Sequence, residues 1–176
     1  MNGSYILIYN YVKLKLYIYN NMNTLMIHEM NKDTIIPKGL CTFDDGLYSQ
    51  YKYGRTLPND KIYFICPKFI IDGRNDLKQK CMSVYDIRKL IDMGIEIGAH
   101  SYYHTKLEVF PDLKYQLYHI QRDTESMMNW FKDSLGIVPT KFCFPYNNDL
   151  NGIYKAALSK YNFTDFYGSS RVDIPA

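Results

Sequence analysis

The chain has no CxxC pair, no apolar run long enough to cross a bilayer and no cluster of Lys and Arg. Each absence removes a class of function. The four cysteines, Cys41, Cys66, Cys81 and Cys143, are scattered. Three of them, Cys41, Cys66 and Cys143, fall in apolar stretches that read as strands, where cysteine packs as a small hydrophobe. That argues against a cysteine zinc site or a disulfide framework and makes a reducing compartment the expectation. A helical span needs about 18 apolar residues in succession, and none exists. Asn10, Lys13 and Lys15 interrupt what would be the apolar region of a secretory signal. No transmembrane segment and a cytoplasmic location are therefore expected. A net charge of +3 is too small to indicate nucleic acid as a partner.

What is present suits one globular domain: 176 residues, 47% apolar and 22% charged, enough to bury a sizeable core. Tyr11 to Tyr19 alternates as a half-buried strand, and the Asn-rich break after it sets residues 1–21 apart as a peripheral extension. Residues 22–176 form the expected domain. Strands are predicted at Ile35–Phe43, Lys61–Cys66, Ile95–Ala99, Lys141–Phe144 and, last, Phe163–Tyr167, with a short apolar run at Thr24–Met30. Between them lie helical segments: Leu47–Arg55, a helix capped by Ser83 and Asp86, a long helix from Pro111 to Gly136, and Asp149–Tyr161. In the long helix Leu113, Leu117, Ile120, Thr124, Met127, Phe131 and Leu135 make a core stripe. Alternating strands and amphipathic helices mean βα units and a mostly parallel sheet, open or closed into a barrel.

Two adjacent carboxylates, Asp44 and Asp45, end the Ile35–Phe43 strand just before Gly46. Taken alone, Asp-Gly is a common turn. Like charges so close raise one another's pKa unless a cation sits between them. His100 and His104, four apart and just past a strand, supply the missing ligands. With Asp45 they form a two-histidine, one-carboxylate set, the ligand number of an open catalytic zinc site. Asp44 is then free to take a proton from water. Pro145-Tyr146 follows a further strand, so all the candidates sit at carboxyl ends of strands, where sites form in parallel α/β folds.

Thr42-Phe-Asp-Asp-Gly46, His100-Ser-x-x-His104 and Phe142-x-x-Pro145-Tyr146 resemble, in order, the three main motifs of the polysaccharide deacetylases (carbohydrate esterase family 4, the NodB homology domain). Leu25-Met-Ile-His-Glu29, Ile62-Tyr-Phe-Ile65 and Gly94-Ile-Glu-Ile-Gly98 are similar to flanking strands of that family. The resemblance implies a distorted (β/α) barrel of six to seven mostly parallel strands, with a short C-terminus. It also implies metal-dependent removal of an N-acetyl group from a sugar. By position, Asp44 is the base and Asp45, His100 and His104 hold one divalent ion, zinc, with cobalt as an alternative. The Tyr146 backbone N–H stabilises the oxyanion, and Phe144, Pro145 and Tyr146 wall the acetate pocket. Ser101 orients a ligand. The partner is an N-acetylated carbohydrate.

Three departures bear on these expectations. Many family members carry an arginine against the base; that position is Cys143, so Asp44 is expected to lack a charge partner and to have a higher pKa. A usual glycine is Asn147, which tolerates left-handed backbone. The family's late Leu-x-His acid has no counterpart, since no histidine follows His119. His119 is expected on the helix surface, which leaves His28 as the candidate acid. The rival readings are an inactive, metal-stabilised carbohydrate binder and a hydrolase of another amide or ester on the same scaffold.

Overall fold

A computed structural model of the protein describes residues 24–175. The strand expected at Tyr11–Tyr19 and the domain boundary at residue 21 lie outside those residues. Among the described residues there are seven strands: β1 (Thr24–Ile27), β2 (Leu40–Phe43), β3 (Lys61–Ile65), β4 (Glu96–Ala99), β5 (Lys141–Cys143), β6 (Asp165–Tyr167) and β7 (Val172–Asp173). The helices are α1 (Pro67–Asp72), α2 (Val84–Asp92), α3 (Leu113–Trp130) and α4 (Ile153–Leu158). The sheet order is β6-β5-β4-β3-β2-β1-β7, and every adjacent pair is parallel. The sheet curls into a distorted (β/α) barrel that stays open between β6 and β7.

Parallel strands covered on both faces are apolar along their length rather than alternating. Leu25, Met26 and Ile27 on β1 and Ile62, Tyr63, Phe64 and Ile65 on β3 are buried in succession, so both faces are covered. Phe43 and Tyr63 stack across β2 and β3 with centroids 4.5 Å apart. The four cysteines are buried and free. No helix among the described residues is long and apolar enough to cross a membrane.

Local signals set most element ends. Ser83 caps α2 in a full capping box, accepting from the Asp86 N–H while Asp86 accepts from the Ser83 N–H at 2.8 Å. Gly94 ends that segment at φ 74°. The predicted long helix begins two residues late, because Asp112 rather than Pro111 caps α3 through the Tyr115 N–H at 2.9 Å.

Pro67 follows β3 and opens α1, a helix the sequence reading did not place, at a position where proline's missing N–H costs nothing. Two expectations are corrected. The core stripe holds for Ile120, Thr124 and Met127 on α3 and for Phe131 just after it, whereas Leu113 is 49% and Leu117 39% exposed. The start of α3 instead meets the segment before it, where the Gln116 amide donates to the Phe110 carbonyl at 3.4 Å and His119 stacks on Phe110. Phe163–Tyr167 is not the last strand either, since β7 follows and pairs with β1.

Gly98 on β4 lies under the Phe64 ring: a Cβ there would overlap the ring and stand 3.1 Å from the Lys141 carbonyl. Gly98→Ala is expected to lower stability by about 1–3 kcal/mol through overpacking, read from urea unfolding midpoints.

Candidate metal centre and catalytic cleft

The carboxyl ends of β1, β2, β4 and β5 surround a cleft of about 210 Å³. Asp44 directly follows β2, where its N–H donates to the Ile27 carbonyl at 3.2 Å. Asp45 then turns into the left-handed region at φ 75°. That turn brings two consecutive carboxylates to one cleft, which an extended strand would place on opposite faces. His28, His100, His104, Phe144 and Tyr146 line the same cleft.

Asp45 Oδ1 lies 3.5 Å from His100 Nε2 and 3.7 Å from His104 Nε2. It is buried and accepts no hydrogen bond among the described residues. Two ligands each ~2.1 Å from a tetrahedral ion stand about 3.4 Å apart, so these atoms are spaced as ligands of one ion rather than as hydrogen-bond partners. Asp45 Oδ2 is held by the Asn75 amide at 3.3 Å, and His100 Nδ1 bonds the Cys143 carbonyl at 2.9 Å. Burial would raise the Asp45 pKa, but the neighbouring imidazoles of His100 and His104, with the Asn75 amide, bring it down to about 2. Burial, with His100 beside it, lowers His104 to about 4. Near neutral pH Asp45 is therefore a carboxylate and His104 a neutral imidazole, the forms in which each can donate a lone pair to a cation. The residues fit a divalent ion by donor set, spacing and the unpaired Asp45 oxygen.

Asp123 on α3, which sequence reasoning passed over, clamps the loop that carries both histidines. It accepts from the Tyr102 N–H at 2.8 Å, the Tyr103 N–H at 2.9 Å and Ser101 Oγ at 3.1 Å. Ser101 Oγ accepts in turn from the His104 N–H at 3.1 Å. Ser101 and His104 both have positive φ, 61° and 56°. Such backbone is strained and persists only where its surroundings hold it. A helical Asp on a polar stretch carries no sequence signal for this task.

The expected lack of a charge partner for Asp44 is overturned. Arg171, just before β7, forms a two-pronged ion pair with it: Nη1 to Oδ1 and Nη2 to Oδ2, both at 2.7 Å. Both side chains are essentially buried. Cys143 is small enough to leave the guanidinium its place, and its Sγ lies 3.0 Å from Nη2. Asn147, at φ 56°, takes the left-handed backbone of a glycine and also accepts from Nη2 at 2.7 Å, which glycine could not. Burial would raise the Asp44 pKa, but the Arg171 charge and hydrogen bonds outweigh it and hold the carboxyl below its ordinary value. Asp44, His100 and Cys143 are also grouped closely enough for an ion, but Arg171 already supplies the positive charge there.

Phe144 is buried in the cleft wall and Pro145 is buried behind it in the chain, while Tyr146 is 49% exposed with its ring 4.6 Å from the His104 ring. His28 sits on the rim after β1, its Nδ1 3.9 Å from Asp173 Oδ1. Gln50 fastens that rim, since its amide donates to the Ile27, His28 and Asp44 carbonyls. His119 is away from the cleft, stacked on Phe110 with centroids 3.9 Å apart.

No family model matches the chain, and no curated protein does. Solved structures do. IcaB from Ammonifex degensii is 18% identical with a TM-score of 0.61, covering 92% of this chain and 82% of its own. The BpsB deacetylase domain from Bordetella bronchiseptica is 10% identical with a TM-score of 0.64, covering 87% of this chain and 94% of its own. A de-N-acetylase from Aggregatibacter actinomycetemcomitans is 12% identical with a TM-score of 0.64, covering 93% and 82%. The fold is that of the polysaccharide deacetylases.

Arg171→Met leaves a buried carboxylate unpaired and is expected to cost about 3–5 kcal/mol at neutral pH, measured by urea unfolding. The depressed pKa of Asp44 means its stabilisation is present above the unfolded value of about 3.9. That stabilisation is lost as pH falls through the folded value. The stability gap between wild type and variant should therefore narrow below about pH 4.

Proposed function

We propose that the protein is a metal-dependent hydrolase that removes the N-acetyl group from an N-acetylated sugar of an oligo- or polysaccharide. One observation carries the proposal: a buried Asp45, His100 and His104 triad with an unpaired oxygen sits beside a carboxylate, Asp44, held ionised by Arg171. Similarity in fold to a deacetylase domain and a de-N-acetylase supports the substrate class.

An ion held by Asp45, His100 and His104, zinc by its donor set or cobalt, would supply Lewis acidity toward the acetamide carbonyl and water. Asp44 accepts the water proton as the oxygen bonds to the carbonyl carbon. Its low pKa keeps it a carboxylate across neutral pH but also makes it a weak base. Arg171 thus contributes orientation more than basicity. The Tyr146 backbone N–H receives the oxyanion that forms on the substrate. Phe144 and Pro145 enclose the acetyl methyl, and Ser101 keeps the His104 backbone in place. His28, on the rim of the cleft, gives a proton to the nitrogen as the C–N bond breaks. Acetate and a free sugar amine leave.

Wild-type protein supplied with Zn²⁺ or Co²⁺ is expected to release acetate from N-acetylglucosamine oligomers and to stop on chelation. Asp44→Asn should lower kcat about 10²–10⁴-fold. His28→Gln should lower kcat while metal affinity stays unchanged. Tight metal binding with no acetate from any amino-sugar substrate would sink the enzymatic reading.

A further inference from the structure

The two histidines of the triad are not equally supported. Each turns Nε2 toward Asp45, so each has Nδ1 on its far side. His100 Nδ1 has a partner, the Cys143 carbonyl at 2.9 Å. His104 Nδ1 is buried and has no hydrogen-bond partner among the described residues. A carboxylate stands over it, with Asp76 Oδ2 at 3.7 Å.

Asp76 belongs to the loop between α1 and α2, whose backbone is well fastened. Arg74 and Lys80 bridge across its base. The Asn75 side chain accepts from the Leu77 N–H at 3.1 Å and the Gln79 N–H at 3.0 Å, and donates to Gln79 Oε1 at 2.8 Å. Asn75 is buried and also donates to Asp45. Gln79 reaches Glu29, next to His28, at 2.7 Å. The Asp76 side chain is about half exposed and accepts no hydrogen bond among the described residues. Its χ angles can therefore turn the carboxylate about 1 Å inward, to ordinary hydrogen-bond distance, with no movement of the loop.

We propose that Asp76 is a positioning residue that accepts the Nδ1–H of His104 and so completes a carboxylate–histidine–metal arrangement. Resting on the metal-dependent reading above, it gives one loop two tasks: Asn75 sets Asp45, and Asp76 sets His104. A neutral histidine carries its proton on one nitrogen only. An acceptor at Nδ1 keeps the proton there and leaves the Nε2 lone pair for the ion, while making that nitrogen a stronger donor. It also accounts for the buried nitrogen that has no other partner.

The test measures Zn²⁺ affinity by competition with a fluorescent chelator, without substrate, for wild type, Asp76→Ala, Asp76→Glu and His104→Ala. Long-range ¹H–¹⁵N spectra of the imidazoles report the His104 tautomer. Asp76→Ala is expected to weaken Zn²⁺ binding 10- to 100-fold and to lose the pure Nδ1–H tautomer, and Asp76→Glu to restore most of both. Matching metal-free thermal unfolding of wild type and Asp76→Ala shows that the fold is kept. If Asp76→Ala binds Zn²⁺ as wild type does, with an unchanged tautomer, while His104→Ala loses the metal, the role of Asp76 is overturned and the triad survives. If His104→Ala keeps the metal, the ligand assignment falls and Asp76 with it. Neither outcome depends on acetate release.

Discussion

The Arg171–Asp44 ion pair is the constraint around which the cleft is arranged. Its guanidinium reaches Thr42 on β2, Asp44 just beyond it, Cys143 on β5, Asn147 after β5 and the Gly168 carbonyl after β6. It therefore ties together strands on both sides of the open seam between β6 and β7. A buried pair of this kind often adds no more stability than apolar packing would. Two prongs do fix the plane of the carboxylate as well as its charge. A carboxylate proposed to meet a water at one angle needs that fixed plane, and no single hydrogen bond provides it.

Around this pair the site is assembled from loops, each tied down by one buried polar side chain that bonds backbone. Gln50 joins the ends of β1 and β2, Asp123 gathers the N–H groups of the histidine loop, and Asn75 closes the loop that touches Asp45. Asp45, Ser101, His104 and Tyr146 all occupy left-handed backbone. Their strain is offset by these bonds and by the packing behind them. A buried amide or carboxylate left without partners would be costly, so each clamp is bound to its loop as firmly as the loop is bound to it.

Cys143 and Asn147 take on a different meaning in this setting. Read singly, they look like losses: a missing arginine and a missing glycine. In the folded chain they are the surroundings of an arginine that arrives from elsewhere. Cys143 leaves the space, and Asn147 contributes an acceptor while keeping the glycine-like turn. Asp44 keeps a cationic partner although that partner comes from the segment just before β7.

Local patterns settled the alternation of strands and helices, the cap at Ser83, the turn at Gly94 and the order of the motifs bearing Asp44, Asp45, His100, His104 and Tyr146. All of these rest on neighbours within a few residues, where side-chain period and turn chemistry act directly. Leu113 and Leu117 obey the same helical period as Ile120, and no period tells how far along a helix its cover extends. Asp123 and Gln50 look like ordinary polar helix residues until the loops they hold are in place. Arg171 lies 127 positions from Asp44 beside a two-residue strand, too short for any pattern to mark. Residue types and local geometry were thus written in the sequence. Which charge meets which across the barrel was decided only by the closing of the sheet, because that pairing depends on where every intervening element packs.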